Sequence, residues 1–597
     1  MWRLFQLHNP VKQCLPRLRD TSVWVFAGCV MAMVAFGRAI ADDAHGGVGR
    51  SLVYVIVFGA GAWLVGSLIF GWFDRMSDSR VQTGSGAPGR FWLERQPSIT
   101  YTASLRRYGG WVFLAILVCW LPWIIVCWPG VLRDDTIAQF MQSAGYKAYY
   151  AQHPLFDTLI FGLFWHIGYA LHDPMLGMGI YVAVQAIAFA LNVALIVCYL
   201  RKLGAARSLL LVVTLFFACC PAIVGAVPTI SKDSLHAVFL MPLAVIFTEA
   251  CLTRGAVLAR NPVRAALIVL IICCALSKRT AVMVIVASFL ILIIAAKRKR
   301  DRIAAAICVL AALTISQGII EPALERATHA EAGTSKEAAA LILHPISRVA
   351  AHHPERITPQ EWRELGHVVD LHASAAHYVS YRTDETAWYV NPNATPSQWA
   401  GAAKAWCAIG LREPGEYLRT YGNLTLGWYY PRTAVYYGWN NDILFTPQYM
   451  QQWSTFVPPP NTAEQVLQPM REPSQASLGG TGVSRGVVPR VLAATAHVGE
   501  RIGASAALNA HAYYATYLPL AMLIYGVSRR CWRAVIAGSF LGINVLVLYL
   551  SPLVFPWYLL PVVFILPLFV GVTGACTADG DRSAIARVEG AVPQIVP

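Results

Sequence analysis

The chain has 597 residues, of which 56% are hydrophobic and only 13% are charged, and its net charge is +15. Several apolar stretches approach the roughly 20 residues that cross a bilayer as a helix, which excludes a soluble globular protein. The Lys and Arg residues lie mostly in short segments between apolar runs, as the positive-inside rule expects, so the charge does not indicate a nucleic-acid partner. We predict an all-α polytopic membrane protein.

Hydropathy along the chain predicts the membrane spans. Single spans are expected at 22–41, 51–73, 110–128, 176–200, 208–226, 234–252, 303–320, 511–527, 533–550 and 556–573. The stretch 264–296 is too long for one span and is divided by Lys278-Arg279, which predicts two short helices meeting at a tight turn. The first run could end in a cleaved signal peptide, but a second run follows at once, which favours an uncleaved span.

The basic segments then fix the sides of the membrane. With 74–109 and Arg201 both cytoplasmic, an odd number of crossings must separate them, yet two apolar stretches, 154–171 and 176–200, lie between. The first is interrupted by Asp157, His166 and His172, which favours an amphipathic helix on the outer interface. The result is about 12 spans with both termini cytoplasmic.

This topology divides the chain into six parts. They are two extra N-terminal helices (1–75), a cytoplasmic linker (76–109), a transmembrane core (110–320), a mainly helical extracytoplasmic domain between the ninth and tenth spans (321–508), three C-terminal spans (509–573) and a cytoplasmic tail (574–597). In the outer domain the only cysteine is Cys407, which rules out a disulfide framework there.

Within the outer domain, residues 359–369 and 396–409 have the pattern of helices. Residues 428–442 are dense in Trp and Tyr, and 455–490 are rich in Pro, Gly and Ser, which predicts a mobile loop.

Two adjacent carboxylates, Asp134 and Asp135, follow the third span and are predicted to face outward. Acids near hydrocarbon are costly and indicate function, although a solvated turn would carry them equally well. One of them could be a general base for an attacking hydroxyl, while the other orients it or helps to bind a divalent cation.

The same topology places three cations and their neighbours on that outer face. Lys232 could bind a phosphate as a point charge, although Ser231 or Asp233 capping the next helix with Lys232 snorkelling is the ordinary alternative. Lys278 and Arg279 sit at an outer turn where positive charge is disfavoured, which indicates binding of a phosphate leaving group.

Two further features of the outer face have ordinary structural interpretations. His153 opens the interfacial helix before Pro154 and is more often structural than catalytic. Trp557 and its aromatic neighbours in the last outer loop are expected to be interface anchors rather than a sugar-stacking surface.

The order of these motifs resembles the GT-C class of membrane glycosyltransferases, in which an acidic motif follows a span and an interfacial helix comes next. Here these are Arg133-Asp134-Asp135 and His153-Pro154-Leu155. More closely, the chain resembles the uncharacterised bacterial DUF6020 family. That likeness rests on Pro129-Gly130 with Asp134-Asp135 and Gln139, on His153-Pro154 with Thr158, on Ser231-Lys232-Asp233, on residues 345–350, and on Ser551-Pro552 with Tyr558 and Pro561.

The resemblance implies transfer of a sugar from a polyprenyl-phosphate donor to a glycan, lipid or protein acceptor outside a bacterial cytoplasmic membrane. Asp135 or Asp134 would be the base, and Lys278, Arg279 and Lys232 would hold the donor phosphate, with support from His153, Asp233 and Arg133. A divalent cation is possible. The alternatives are a transporter or lipid flippase with a glycan-binding outer domain, and a non-catalytic envelope scaffold.

Overall fold

The computed structural model is mainly helical, which confirms the all-α prediction. The described residues are 20–41, 48–78, 92–333, 336–432, 442–455, 457, 459–468, 494, 497–498 and 501–575. Among them the only β-type pairing is four isolated bridges.

The membrane-embedded half begins with twelve helices in chain order. They are α1 (Thr21–Ile40), α2 (Val48–Asp78), α3 (Tyr101–Val126), α4 (Asp134–Ser143), α5 (Leu155–Ala170), α6 (Pro174–Lys202), α7 (Arg207–Cys219), α8 (Pro221–Ala226), α9 (Lys232–Leu252), α10 (Asn261–Ser277), α11 (Arg279–Ala295) and α12 (Lys299–Thr328).

The remaining helices lie between residues 336 and 468, which we call the outer region after the side predicted for it, and at the C-terminal end of the membrane half. The outer region contains α13 (Lys336–His352), α14 (Pro359–Gly366), α15 (Leu371–Ala376), α16 (Asp384–Trp388), α17 (Pro396–Arg412), α18 (Pro414–Leu424), α19 (Leu426–Tyr429) and α20 (Pro447–Ser454). After it come α21 (Ala506–Asn509), α22 (Leu518–Ser528), α23 (Trp532–Leu548) and α24 (Pro556–Ala575).

Seven helices in the described part of the chain are long and apolar enough to cross a membrane, namely α1, α2, α3, α6, α9, α12 and α24. Shorter apolar helices accompany them: α5, α7, α10, α11 and α23. Apart from α5, which packs in a second cluster through Phe161 and Trp165, these helices bury one continuous apolar core. Helices α9 and α24 lie at its centre with most of their residues buried. The chain is therefore a membrane-embedded protein.

The predicted hairpin at Lys278 is confirmed, since α10 ends at Ser277 and α11 begins at Arg279 with Lys278 extended between them. The predicted span 208–226 is instead broken at Cys220, which is extended because Pro221 follows it. Proline disfavours helical backbone in the preceding residue and lacks a donor, so the chain restarts as the short helix α8.

The outer helices bury a separate apolar cluster that includes Leu343, Val369 and Ile409. Both predicted outer helices are present, as α14 and α17. The aromatic segment is described only in part, with Trp428 buried, and residues 433–441 lie outside the described residues.

The predicted mobile loop 455–490 differs from the structure at its start, because residues 463–468 are helical. Ala463, Val466 and Leu467 follow helical spacing and are buried, which gives this segment an apolar face to pack. The rest of the predicted loop, from 469 onward, lies outside the described residues.

Arg529, which follows α22, fastens the two N-terminal helices to the C-terminal ones. It lies 2.7 Å from Asp20 Oδ2 and 2.9 Å from Asp74 Oδ2, and Tyr525 also donates to Asp74. Asn423 in the outer region donates to the carbonyl of Ile40 at the other end of α1. The N-terminal pair is thus docked at both ends.

Candidate functional site

Two loops that are about a hundred residues apart in sequence are joined by backbone hydrogen bonds. Val131 N donates to Pro228 O at 3.0 Å, and Ile230 N donates to Val131 O at 2.8 Å. The Thr136 hydroxyl adds a 2.6 Å bond to the carbonyl of Ile230. Gly130 has a φ of +146°, which a side chain would strain. These contacts set the start of α4 beside the start of α9.

The first ion pair of the site follows from that juxtaposition. Lys232 Nζ lies 2.7 Å from Asp135 Oδ2 and 3.2 Å from His153 Nδ1, and His153 Nε2 lies 3.7 Å from Asp135 Oδ1. The Asp135 side chain is 41% exposed, so this pair remains open to an entering molecule. The structure therefore brings three predicted site residues into one contact group.

A second ion pair lies next to the first. Lys278 bonds to Asp233, whose side chain is only 3% exposed, and Asp233 also lies in the first turn of α9, where the helix dipole favours an anion. Ser231 caps that helix by accepting from Ser234 N, as the ordinary reading of this segment predicts. The two lysines thus occupy neighbouring positions, each against its own carboxylate.

Arg279 reaches a backbone atom of the loop before His153. Its guanidinium donates to the carbonyl of Ala151, and among the described residues it forms no ion pair. The same loop is held on its other side, since Ala151 N donates to Glu331 O at 2.8 Å. Arg279 therefore positions the loop that carries His153, and it brings a positive charge to the edge of the site.

The electrostatics distinguish the two adjacent acids. Burial alone would raise the pKa of Asp135, but the charge and hydrogen bond of Lys232 outweigh it and hold that pKa below its usual value. Burial and the charge of Asp135 raise the pKa of Asp134, which forms no ion pair with any described residue. Burial lowers the pKa of His153 to about 4, so its imidazole is neutral near pH 7.

Aromatic side chains from the last outer loop cover the cations, a role that sequence reasoning missed. The Arg133 guanidinium lies 3.4 Å from the ring centre of Trp557, and Lys278 Nζ lies 5.7 Å from that of Tyr558. These distances are within the range of cation–π contacts. The only sequence signal was that both aromatics begin a span facing the same side as the cations.

Asp157 is a further residue whose importance the sequence did not reveal. It appeared to interrupt an interfacial helix, but its side chain is fully buried and neither carboxyl oxygen has a hydrogen-bond partner among the described residues. Burial raises its pKa well above the usual value, which favours the protonated acid. Its electrostatic neighbours are Lys232, Asp233 and Lys278, so it lies beneath both ion pairs.

The described residues do not fit a divalent cation. No three His, Cys, Asp or Glu side chains among them converge as a metal site. Of the two acids considered for that role, Asp135 is already matched by Lys232.

Comparison with known proteins gives one match, to a family. The profile of a family described as "Family of unknown function (DUF6020)" matches residues 137–459, which is more than half of the chain. The match contains His153, Lys232 and Lys278 and begins two residues after Asp135. No curated protein and no solved structure matches.

Proposed function

We propose, from the premise that this chain belongs to the DUF6020 family, that it is a membrane glycosyltransferase. It would transfer a sugar from a polyprenyl-phosphate donor to a cell-envelope acceptor. The observation that supports the proposal is the convergence of two neighbouring ion pairs, over sequence separations of 97 and 45 residues. Lys232 bonds to the partly exposed Asp135, and Lys278 bonds to the buried Asp233. Such a group offers a proton acceptor and phosphate-binding charges side by side.

The reaction would proceed by direct displacement. A carboxylate removes the proton of the acceptor hydroxyl, whose oxygen forms a bond to the anomeric carbon of the donor. The bond from that carbon to the phosphate oxygen breaks, and the phosphate leaves with the electron pair. Lys232, Lys278 and Arg279 stabilise the charge that develops on the leaving phosphate, which is electrostatic catalysis.

The two acids would divide the work. A base functions best when its pKa is near the operating pH, and the pKa of Asp134 is raised whereas that of Asp135 is lowered. We therefore assign Asp134 as the base. Asp135 holds Lys232 until a phosphate arrives and takes over that lysine, and neutral His153 accepts a hydrogen bond from the same ammonium.

We also propose the topology in which this site faces outward. The seven long helices, together with α7, α10, α11, α22 and α23, give 12 crossings of a bacterial cytoplasmic membrane with both termini inside. Helix α5 would lie at the outer interface, because it carries Asp157 at its first turn and because only one crossing fits between the basic segments on either side. Every short basic segment then lies on the cytoplasmic side.

The test is transfer from radiolabelled polyprenyl-phosphate sugars in membranes that contain the wild-type chain or a variant. Asp134→Asn is expected to reduce transfer by about 100-fold or more, the usual contribution of general-base catalysis. Glu355→Gln, at an acid whose side chain is 67% exposed, is the matched control and should not change transfer. Full transfer by both Asp134→Asn and Asp135→Asn would refute the mechanism. Translocation of lipid without transfer of a sugar would show that the protein is a flippase rather than a glycosyltransferase.

A further inference from the structure

The outer region contains a cleft of about 600 Å³ that the proposed chemistry does not use. It lies between α14, the start of α15 and the segment after α16. Its polar and aromatic lining comprises Trp362, Arg363, Asp370, His372, Tyr389 and Asn391. The volume is within the range of small-ligand sites, which combine aromatic surface with a few placed polar groups.

The aromatic surface of the cleft is organised rather than scattered. The rings of Trp362 and His372 are stacked with their centres 4.4 Å apart and their planes 16° from parallel. Tyr389 is fixed by a 3.0 Å hydrogen bond between its hydroxyl and His377 Nδ1. Stacked rings present a flat, electron-rich face, which attracts the partly positive C–H groups on one side of a pyranose ring.

The polar groups of the cleft are also held in place. The Asn391 amide donates to His367 O at 2.9 Å and accepts from Asn393 N at 3.0 Å, which fixes its plane. Asp370 uses one carboxyl oxygen to cap α15. Arg363 is exposed and forms no ion pair with any described residue. One acid and one base give the lining no strong net charge, which suits a neutral polyhydroxyl ligand better than a phosphate.

The floor of the cleft connects it to the candidate site. Asp370 N donates to Tyr389 O, and Asn391 N donates to Val368 O, so the segment after α16 is fixed to the segment before α15. At the other end of α16, Thr383 N donates to Pro552 O in the last outer loop, which leads to Trp557. Five helical residues separate the two ends, or about 7 Å at 1.5 Å per residue.

We propose that this cleft binds one or two neutral sugar units of an oligosaccharide acceptor. The orientation of the oligosaccharide rests on the proposed function: its reacting end would lie at the ion pairs, and a more distant sugar unit would lie in the cleft. The proposal gives the outer region a binding site and identifies the acceptor as a saccharide.

The test measures binding to the full-length protein in lipid nanodiscs, without donor, by saturation-transfer NMR and calorimetry. The probes are neutral hexasaccharides of glucose, mannose, galactose and N-acetylglucosamine. At least one series should bind, and Trp362→Ala should weaken it at least tenfold. His372→Ala, at an exposed residue whose loss leaves the fold intact, should weaken it several-fold. Trp388→Ala, at a 79% exposed neighbour outside the cleft, is the control and should bind as the wild type does.

The outcomes separate this inference from the proposed function. The saccharide assignment is overturned if none of the four series binds, or if Trp362→Ala and His372→Ala both bind as the wild type does. It is also overturned if an extended peptide probe binds and the saccharides do not. Asp134→Asn should bind the hexasaccharide normally while transferring no sugar. Saccharide binding without any transfer by the wild type would leave the cleft assignment standing and remove the glycosyltransferase.

Discussion

Lys278 has two roles in this account, as the counter-ion of Asp233 and as a ligand of the donor phosphate, and a pair of substitutions separates them. Lys278→Met keeps the apolar stem but removes the charge, which leaves the Asp233 carboxylate, 3% exposed, without its partner. Breaking a buried ion pair in this way usually costs about 3–5 kcal/mol. The first turn of α9 still stabilises Asp233 through the helix dipole, by about 1 kcal/mol. We therefore expect a loss of about 2–4 kcal/mol in the free energy of unfolding.

Adding Asp233→Asn to Lys278→Met removes the unpaired charge as well. Stability should recover by at least half, because replacing both partners of a buried pair is far less costly than replacing one. Sugar transfer should not recover, since the phosphate-binding charge is still missing. The assays are thermal unfolding of the purified protein in detergent and donor-dependent transfer in membranes, each on the wild type, the two single variants and the double variant.

Two results would contradict this reasoning. Strictly additive losses of stability would mean that the two side chains do not interact energetically. Wild-type transfer by the double variant would mean that Lys278 serves only to neutralise Asp233, and the leaving phosphate would then depend on Lys232 and Arg279 alone.

Three further predictions concern side chains in and around the site. The pKa of His153 is about 4 in the folded chain and 6.5 ordinarily, so the unfolded chain binds more protons between those two pH values. The free energy of unfolding should therefore fall as the pH drops from 6.5 toward 4. Unfolding measured at a series of pH values should show a flatter slope for His153→Gln. Asp157→Leu should raise the free energy of unfolding by about 1–3 kcal/mol, because it removes two buried oxygens that have no hydrogen-bond partner among the described residues. The gain should increase with pH. A loss of stability would show that the carboxyl group has hydrogen-bond partners. Arg529→Gln should destabilise the protein by about 2–4 kcal/mol, because it removes the guanidinium that two carboxylates share. The exposed Arg530→Gln should not, and equal melting temperatures would rule out the docking role.

The sequence predicted much of the membrane half because hydrophobic length is a strong signal. The hairpin at Lys278 was predictable since two cations divide a run too long for one helix. The break at Cys220 was not predicted, because windowed hydropathy averages over the single proline that causes it. The positive-inside rule predicted that the acids and the lysines share one side of the membrane, but it cannot predict which of these residues contact each other.

The pairing within the site required coordinates. Nothing in the sequence says that Lys232 bonds to Asp135 while Lys278 bonds to Asp233, since both partners depend on how two helix hairpins are packed. The burial of Asp157 was hidden for the same reason, because it depends on helices that cover the first turn of α5. The cleft beside Trp362 is assembled from three short segments, none of which carries a recognisable motif.

The backbone ladder between the loops that precede α4 and α9 has a consequence for how this protein can diverge. Main-chain hydrogen bonds at Val131 and Ile230 do not depend on side-chain identity, so neighbouring positions can drift in sequence without shifting Asp135 against Lys232. A one-residue insertion in either loop is different, because it would move the whole register and carry the acid away from its lysine. In related chains, the residue types at the neighbouring loop positions should therefore vary, whereas the lengths of the loops should be conserved. The position of Gly130 should keep a residue that tolerates a positive φ.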